Sequence, residues 1–167
     1  MITVNAKPIS PEAFAKYGRV SDALGKGEYY FDLGSCHFHR DMIQQNLSRE
    51  TVVSYSICHA FKRPMLIDWL EYHNYTEETI MPIDSDVIAC FAPAIQGQSC
   101  PKEEIEAFIV KAGAIVTCRP GVWHGIPFIK GGAKDAHILC VLPERTYEKD
   151  GFVEAWEGKE QVKVLTK

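Results

Sequence analysis

The stretch CRPGVWHGIPF, residues 118–128, sets a tight turn directly before a tryptophan and a histidine. Pro120 fixes φ and lacks an amide hydrogen, whereas Gly121 permits a positive φ, so the pair predicts a rigid corner. In the strand that follows, alternation places Trp123 on one face and His124 on the other. The row on the histidine face comprises His124, Ile126 and Phe128. We therefore predict that His124 lies at the rim of an apolar barrel interior.

The rest of the chain after residue 50 has the character of short strands. Segments rich in β-branched and aromatic residues recur about every ten residues, which is typical of a β-sandwich or barrel. They are TVVSYSIC, PMLIDWLEYH, ETIMPI, DVIACFAPA, EIEAFIV, GAIVTC, VWHGIPFI, AHILCVLP and EQVKVL. No linker or repeat interrupts them, so we predict a mostly β protein with one domain over residues 1–167.

Helical signals are few. Ser10 is a candidate N-cap, Pro11 suits the first helical position and Gly18 suits the stop, which predicts a short N-terminal helix. The segment CPKEEIEAF predicts a single helical turn, and a short strand is expected around Tyr29 to Phe31.

Composition excludes several classes of partner. The net charge of -4 and the pI of about 5.9 give no basic surface for nucleic acid or an anionic membrane, so a small molecule is the expected ligand. The six cysteines contain no Cys-x-x-Cys pair and mostly lie in apolar runs, which indicates free thiols in a reducing compartment. We predict a cytoplasmic protein, since no apolar run approaches the ~18 residues of a membrane span.

A second group of polar residues lies in IDWLEYH, residues 67–73. Strand alternation puts Glu71 and His73 on the same face as Trp69, so that apolar side chains give way to a carboxylate and an imidazole. With His124 they form a candidate acid/base set, or a divalent-metal site with mixed oxygen and nitrogen ligands. The structural alternative is that Glu71 is solvent-exposed, His73 ends the strand and His124 is a hydrogen-bonded rim histidine.

Other polar residues are weaker candidates. Glu77 and Glu78 follow in the next turn, and either is close enough in sequence to reach the same opening. Arg119, beside the corner, is a candidate for binding an anionic ligand. The His-x-His of His37 and His39 is predicted to be a loop feature rather than a metal site, because it lacks strand alternation.

Several stretches together resemble the ureidoglycolate lyase family of the cupin superfamily. These are PISPEAFAKYG near the start, HRD at 39–41, LEYHNYTEETIMPI with its Glu-x-His strand, and EAFIVKAGAIVTCRPGVWHGIPF. The resemblance implies a double-stranded β-helix, or jelly roll, and a homodimer. It also implies cleavage of ureidoglycolate to glyoxylate and urea in purine (allantoin) breakdown. By position it points to Glu71, His73, Trp123 and His124.

The sequence departs from the family at polar positions. Cys118 and Arg119 replace a Tyr-His pair before the turn, Gly125 replaces a second histidine, and Glu77 stands for the glutamine that follows the threonine. The candidate substrate-binding residues are Arg119, Trp123 and Glu77, beside the catalytic candidates His124, His73 and Glu71.

Three functions are compatible with these residues. The first is the lyase reaction by acid/base cleavage of the C–N bond, for which no cofactor is assigned and a divalent metal is left open. The second is a metal-dependent cupin that acts on another small hydroxy acid or sugar derivative and binds its ion through Glu71, His73 and His124. The third is a non-catalytic module that binds small carboxylates.

Overall fold

The fold was analysed in a computed structural model, which describes residues 1–24, 31–32, 34–95 and 99–166. The strands are β1 (Ile2–Pro8), β2 (Gly18–Asp22), β3 (Phe31–Asp32), β4 (His37–Phe38), β5 (Val53–Phe61), β6 (Leu66–Ile67), β7 (Trp69–Tyr72), β8 (Glu78–Pro82), β9 (Val87–Ala92), β10 (Glu106–Val110), β11 (Ala114–Cys118), β12 (Trp123–His124), β13 (Phe128–Ile129), β14 (Asp135–Pro143), β15 (Phe152–Ala155) and β16 (Val162–Leu165). The helices are α1 (Pro11–Phe14) and α2 (Thr146–Lys149), with 3-10 turns at Lys102–Glu104 and Gly158–Glu160.

Two main sheets form the body of the molecule. The larger has the order β15-β7-β12-β9-β10-β1-β16-β6, with β13 also paired to β9, and the smaller has the order β2-β11-β8-β14-β5. Most pairs are antiparallel, but β1 runs parallel to both β10 and β16. This arrangement confirms the predicted mostly β, jelly-roll class of fold.

The larger sheet buries side chains on both faces. Every residue of its central strand β9 is buried, and alternation divides them: Val87, Ala89 and Phe91 join one core, whereas Ile88 and Cys90 join the other. The first core lies between the sheets, because its other members include Val116 of β11, Ile138 of β14 and Phe108 of β10. Several members of this first core, including Phe91, Val116 and Ile138, also line a cavity.

Helix α1 closes one end of the first core. The Ser10 hydroxyl accepts a hydrogen bond from the Ala13 amide at 3.1 Å, which confirms the predicted cap. The helix ends at Phe14 rather than near Gly18, and Gly18 instead begins β2. Phe14 is fully buried and packs edge-on against Phe91 with ring centroids 4.9 Å apart, a burial worth about 1.5–3 kcal/mol.

Other local predictions had mixed outcomes. The helical turn in CPKEEIEAF is confirmed as the 3-10 turn Lys102–Glu104. The short strand expected around Tyr29 to Phe31 falls partly on residues 25–30, which lie outside the described residues, and the structure gives a strand at Phe31–Asp32. In the described part of the chain no helix is long and apolar enough to span a bilayer.

Candidate functional site

The corner before Trp123 is a β-turn of the predicted kind. The Val122 amide donates to the Arg119 carbonyl at 3.3 Å, and Gly121 has φ of 79°, which fits a turn with proline second and glycine third. The Gly121 amide also donates to the His73 carbonyl at 2.7 Å. The corner therefore fastens the start of β12 to the end of β7 and fixes the two histidines relative to each other.

Strand pairing brings the predicted acid/base residues together. Glu71 of β7 and His124 of β12 are direct cross-strand partners, so their side chains project from the same face. His73 follows β7, and its ring centroid lies 5.3 Å from that of His124. One oxygen or nitrogen atom from each of Glu71, His73 and His124 can be chosen so that all three lie within 4.8 Å of one another. The structure thus assembles all three residues into one cluster.

Glu78 is the residue that joins these histidines. Its Oε2 atom lies 2.7 Å from His124 Nε2 in a hydrogen bond, and 3.3 Å from His73 Nε2. The carboxylate is buried at the start of β8. We call Glu71, His73, Glu78 and His124 the inner cluster.

Hydrogen bonds define the protonation state of the His124 ring. Nδ1 lies 2.8 Å from the Val122 carbonyl, which can only accept, and Nε2 faces the Glu78 carboxylate, so both ring nitrogens act as donors. Burial by itself would lower the pKa of His124, but Cys118 and Glu78 beside the ring raise this pKa well above its usual value. Burial would likewise raise the pKa of Glu78, yet His124 and His73 hold it at about 2. The pair is therefore an imidazolium and a carboxylate.

His73 differs from His124 because only one of its ring nitrogens forms a hydrogen bond with a described residue. Its Nδ1 donates to the Asp150 carbonyl at 2.7 Å, and the Asp150 carboxylate in turn accepts from the amides of Asn74 and Tyr75 at 2.9 Å each. His73 Nε2 is buried and forms no well-formed hydrogen bond among the described residues, although Glu78 Oε2 lies 3.3 Å away. If the ring carries its hydrogen only on Nδ1, Nε2 is available as an acceptor or a metal ligand.

A cavity of about 220 Å³ lies against the inner cluster. Glu71, Glu78 and His124 supply its charged wall, and the remaining lining is mostly apolar or thiol. Those other lining residues are Cys58, Trp69, Ile80, Phe91, Val116, Cys118, Gly125, Ile126, Pro127, Ile138, Cys140 and Tyr147. No lysine or arginine is among the described residues of this lining. The cavity has room for a small molecule that meets charged groups on one side and apolar groups on the other.

The three candidate substrate-binding residues lie elsewhere. Arg119 directly follows Cys118, which faces the cavity, so strand alternation turns Arg119 outward; it is exposed and donates to the Ala15 carbonyl at 2.6 Å. Glu77 precedes β8 and accepts from Arg19 at 2.6 Å and from the Asn46 amide at 2.7 Å, in a separate surface groove that Arg119 also lines.

Trp123 lies behind the site rather than in it. Its indole packs against Tyr72 with ring centroids 4.5 Å apart, within the second core. The predicted row after His124 holds for Ile126, which lines the cavity, but not for Phe128, which is buried in the second core, because the strand is interrupted between β12 and β13.

Two further sequence features are explained by the geometry. A Cβ atom at Gly125 would lie 3.2 Å from Leu70 Cδ2 and 3.3 Å from the Trp69 carbonyl oxygen, so this position has little room for the second histidine of the family pattern. His37 lies in the two-residue strand β4 rather than in the predicted loop, His39 follows that strand, and neither is among the described residues that line the cavity.

The chain is similar to known proteins along its whole length. The sequence profile of the family described as Ureidoglycolate lyase matches residues 1–164. A ureidoglycolate lyase of Pseudomonas syringae pv. syringae is 27% identical over 163 residues, covering 95% of this chain and 92% of that protein. One from Rhodobacter capsulatus is 27% identical over 123 residues, covering 72% and 74% of the two chains.

Solved structures give more distant matches. The epimerase RmlC of Legionella pneumophila has a TM-score of 0.45 at 14% identity, covering 70% of this chain and 66% of that one. The oxalate decarboxylase OxdC of Bacillus subtilis has a TM-score of 0.42 at 12% identity, covering 90% of this chain and 30% of that one.

Proposed function

Because the chain belongs to the ureidoglycolate lyase family, we propose that it splits ureidoglycolate into glyoxylate and urea, as a step in allantoin breakdown. The single observation that carries this proposal is the buried Glu78–His124 pair, 2.7 Å apart, on the wall of a small cavity that Glu71 also lines. The substrate is a carbinolamine, and its cleavage needs one group that accepts a proton and one that donates a proton.

His124 is the proposed acid. Both of its ring nitrogens face oxygen acceptors, so the ring carries a hydrogen on each. The hydrogen on Nε2, which lies beside the cavity-lining Glu78, is the one that passes to the departing urea nitrogen. Glu78 orients this ring, and His73 in turn stands against Glu78, which makes both of them positioning residues. The proton donor is thereby held rigidly at the cavity wall.

Glu71 is the proposed base. It is partly exposed, lines the cavity and lies directly opposite His124 on the paired strand. It takes the hydroxyl proton as the C–N bond breaks; the bonding electrons go to the urea nitrogen, which receives the His124 proton, and the carbon becomes an aldehyde. Proton transfer from Glu71 back to His124 then restores the starting state.

A bound divalent ion is the second candidate feature, and a charge imbalance favours it. The inner cluster contains two carboxyl groups, the substrate is itself an anion, and no lysine or arginine is among the described residues of the lining. Glu71, His73 and His124 would hold the ion, and the unpartnered Nε2 of His73 fits this use. When bound, the ion would supply positive charge for the substrate carboxylate, and its binding would displace the proton of His124.

The protein is also proposed to be a homodimer in the cytoplasm. All six cysteines are free thiols, which suits a reducing compartment. Three large apolar side chains of edge strand β5, Tyr55, Ile57 and Phe61, are each more than half exposed on the outer face of the smaller sheet. A second copy of the chain is the proposed cover for this face.

Light scattering tests the dimer. We expect a dimer mass for the natural sequence and for Val153→Asp, which changes an exposed residue of the larger sheet, and a monomer mass for Ile57→Asp. A monomer mass for the natural sequence at micromolar concentration would contradict the proposal.

The reaction is tested by measuring glyoxylate release from ureidoglycolate. We expect release by the natural sequence and a loss of about 10²–10⁴-fold in His124→Ala. His59→Ala, which changes an exposed histidine outside the cavity, serves as the matched control. Parallel samples are treated with a chelator, and some of them are then resupplied with metal. These samples decide between a metal-free acid/base site and a site that holds a divalent ion. No release from folded protein in any sample would overturn the lyase proposal.

A further inference from the structure

The cavity carries three thiols that the proposed reaction does not use. Cys58 of β5, Cys118 of β11 and Cys140 of β14 all line it, beside the charged wall. A cysteine is an intrinsically strong nucleophile even when only a small fraction is ionised. The proposed product, in turn, is an aldehyde, which is an electrophile released within the same small enclosure.

Cys118 differs from the other two in its contacts. Its Sγ atom lies 4.0 Å from His124 Nδ1 and donates to the Glu78 carbonyl at 3.6 Å, so it touches both members of the buried pair. The Cys140 thiol instead donates to the Ile138 carbonyl of its own strand at 3.8 Å. Burial also raises the pKa of Cys140 to about 12 and raises that of Cys58. Cys118 is therefore the thiol next to the reacting groups.

A separate observation concerns a buried polar atom beside this cavity. His73 is almost fully buried, and its Nε2 atom has no hydrogen-bond partner among the described residues. That atom lies in the cluster with Glu71 and His124, which both line the cavity. Because the cavity measures only about 220 Å³, a ligand that reaches this cluster is also within reach of Cys118.

We propose that Cys118 captures the aldehyde product, or another small 2-oxo acid with a free aldehyde, as a reversible hemithioacetal. The identity of this aldehyde rests on the proposed function. In the step the sulfur–carbon bond forms, the carbonyl double bond becomes a single bond, and the thiol hydrogen ends on the former carbonyl oxygen. No electrons are exchanged with an oxidant or reductant. His124 Nδ1 lies 4.0 Å from the sulfur, so the imidazolium supplies positive charge beside the carboxylate of the adduct.

The adduct would regulate turnover. A captured aldehyde fills the cavity and keeps substrate from Glu71 and His124, so the rate falls as product accumulates. Because addition is reversible, a following reaction that consumes the aldehyde, by reduction, oxidation or amination, would restore activity. The rate at which this protein forms the aldehyde would thus follow the rate at which the next reaction consumes it.

The test adds glyoxylate labelled with carbon-13 at its aldehyde carbon to the folded protein and records the carbon spectrum. We expect a protein-bound signal for a carbon that carries both sulfur and oxygen. The signal should persist in Cys140→Ser, which changes another thiol of the same cavity, and disappear in Cys118→Ala. Cys118→Ser provides a second, more conservative variant if the alanine variant does not fold. A signal that persists without Cys118, or that is absent from the natural sequence, would overturn the proposal.

The same experiment separates this inference from the lyase proposal. Glyoxylate is supplied directly, so an adduct in protein that does not cleave ureidoglycolate would refute the reaction but keep the capture site. Cleavage without an adduct, and without slowing by added glyoxylate, would refute capture but keep the reaction.

Discussion

Two histidine pairs in this molecule use the same residue types and differ in burial. The inner cluster combines His73 and His124 with Glu71 and Glu78 at the cavity. The outer cluster combines two histidines with two aspartates on the smaller sheet: His59, Asp84, Asp135 and His137. Its imidazoles are cross-strand partners, stacked with ring centroids 4.2 Å apart. Both clusters pair each histidine with a carboxylate, so composition alone does not distinguish them.

Burial separates what the two clusters can do. In the outer cluster, His59 and Asp135 are 3.2 Å apart and His137 and Asp84 are 2.5 Å apart, but all four side chains are 42 to 52% exposed. Water screens such pairs, and exposed ion pairs contribute little to stability. In the inner cluster the side chains of Glu78 and His124 are less than 10% exposed, so their attraction is weakly screened and the proton on His124 is strongly held.

The largest expected difference between the clusters is in catalysis. Glu78→Gln removes the charge that orients and holds the proton donor, and we expect glyoxylate release to fall by about 10²-fold or more. Asp84→Asn makes the matching change in the outer cluster and should leave release unchanged. The measurement is kcat and KM for both variants, and an equal loss in both would end the distinction.

The second difference is in folding stability. Removing one partner of a buried ion pair leaves the other charge without compensation, and we expect Glu78→Gln to lower the free energy of unfolding by about 3 kcal/mol. Denaturant unfolding at neutral pH measures this value. Asp84→Asn is again the control and should shift the unfolding midpoint far less, since its partner stays solvated. A similar midpoint for Glu78→Gln and the natural sequence would show that the buried pair does not stabilise the fold.

The pattern of side chains around the inner cluster was partly accessible from sequence. The Pro-Gly corner with strand alternation predicted the position of His124, and the Glu-x-His spacing predicted Glu71 and His73, because both rest on local backbone geometry. Glu78 was only one of two neighbouring candidates. Counting back by two from Ile80, which lines the cavity, would have selected Glu78 over Glu77, since adjacent residues of a strand face opposite sides.

Arg119 follows the same rule. Counting forward by two from Val116 selects Cys118 for the cavity and turns Arg119 away from it. The alternation of side chains along the strand therefore predicts which residue faces the cavity better than the charge of a residue close to it in the sequence.

Long-range pairing was not accessible. The alternation in ITVNAKP fits a strand, but its parallel pairing with both β10 and β16 joins segments more than a hundred residues apart, and no local pattern specifies those partners. The Asp150 clamp on His73 is of the same kind, because it depends on where the short helix α2 returns to the sheet. The number of short strands was enough to predict the fold class. The contacts that hold the site residues in place join distant parts of the chain and could not be predicted in this way.

The smallest and most discriminating difference concerns pH. Glu78 has a pKa of about 2 in the folded protein against an ordinary value of 4.5, so its stabilising contribution is present above pH 4.5 and is lost as the pH falls from 4.5 toward 2. His124 has its pKa raised above 6.5, so its contribution is present below pH 6.5 and is lost as the pH rises through the folded value. The inner pair should therefore stabilise the protein most between pH 4.5 and 6.5.

Unfolding free energies at pH 3 and pH 6 for the natural sequence and Glu78→Gln measure this window. We expect the difference between the two proteins to be larger at pH 6 than at pH 3, because Glu78 gains protons in the unfolded state first as the pH falls. The outer cluster provides the comparison. The pKa of Asp84 is also lowered, by hydrogen bonds from His137, so Asp84→Asn should change the loss of stability at low pH in the same direction but by less. If both variants altered that loss equally, burial would not be the property that separates the two histidine pairs, and the assignment of the reacting proton to His124 would lose its physical basis.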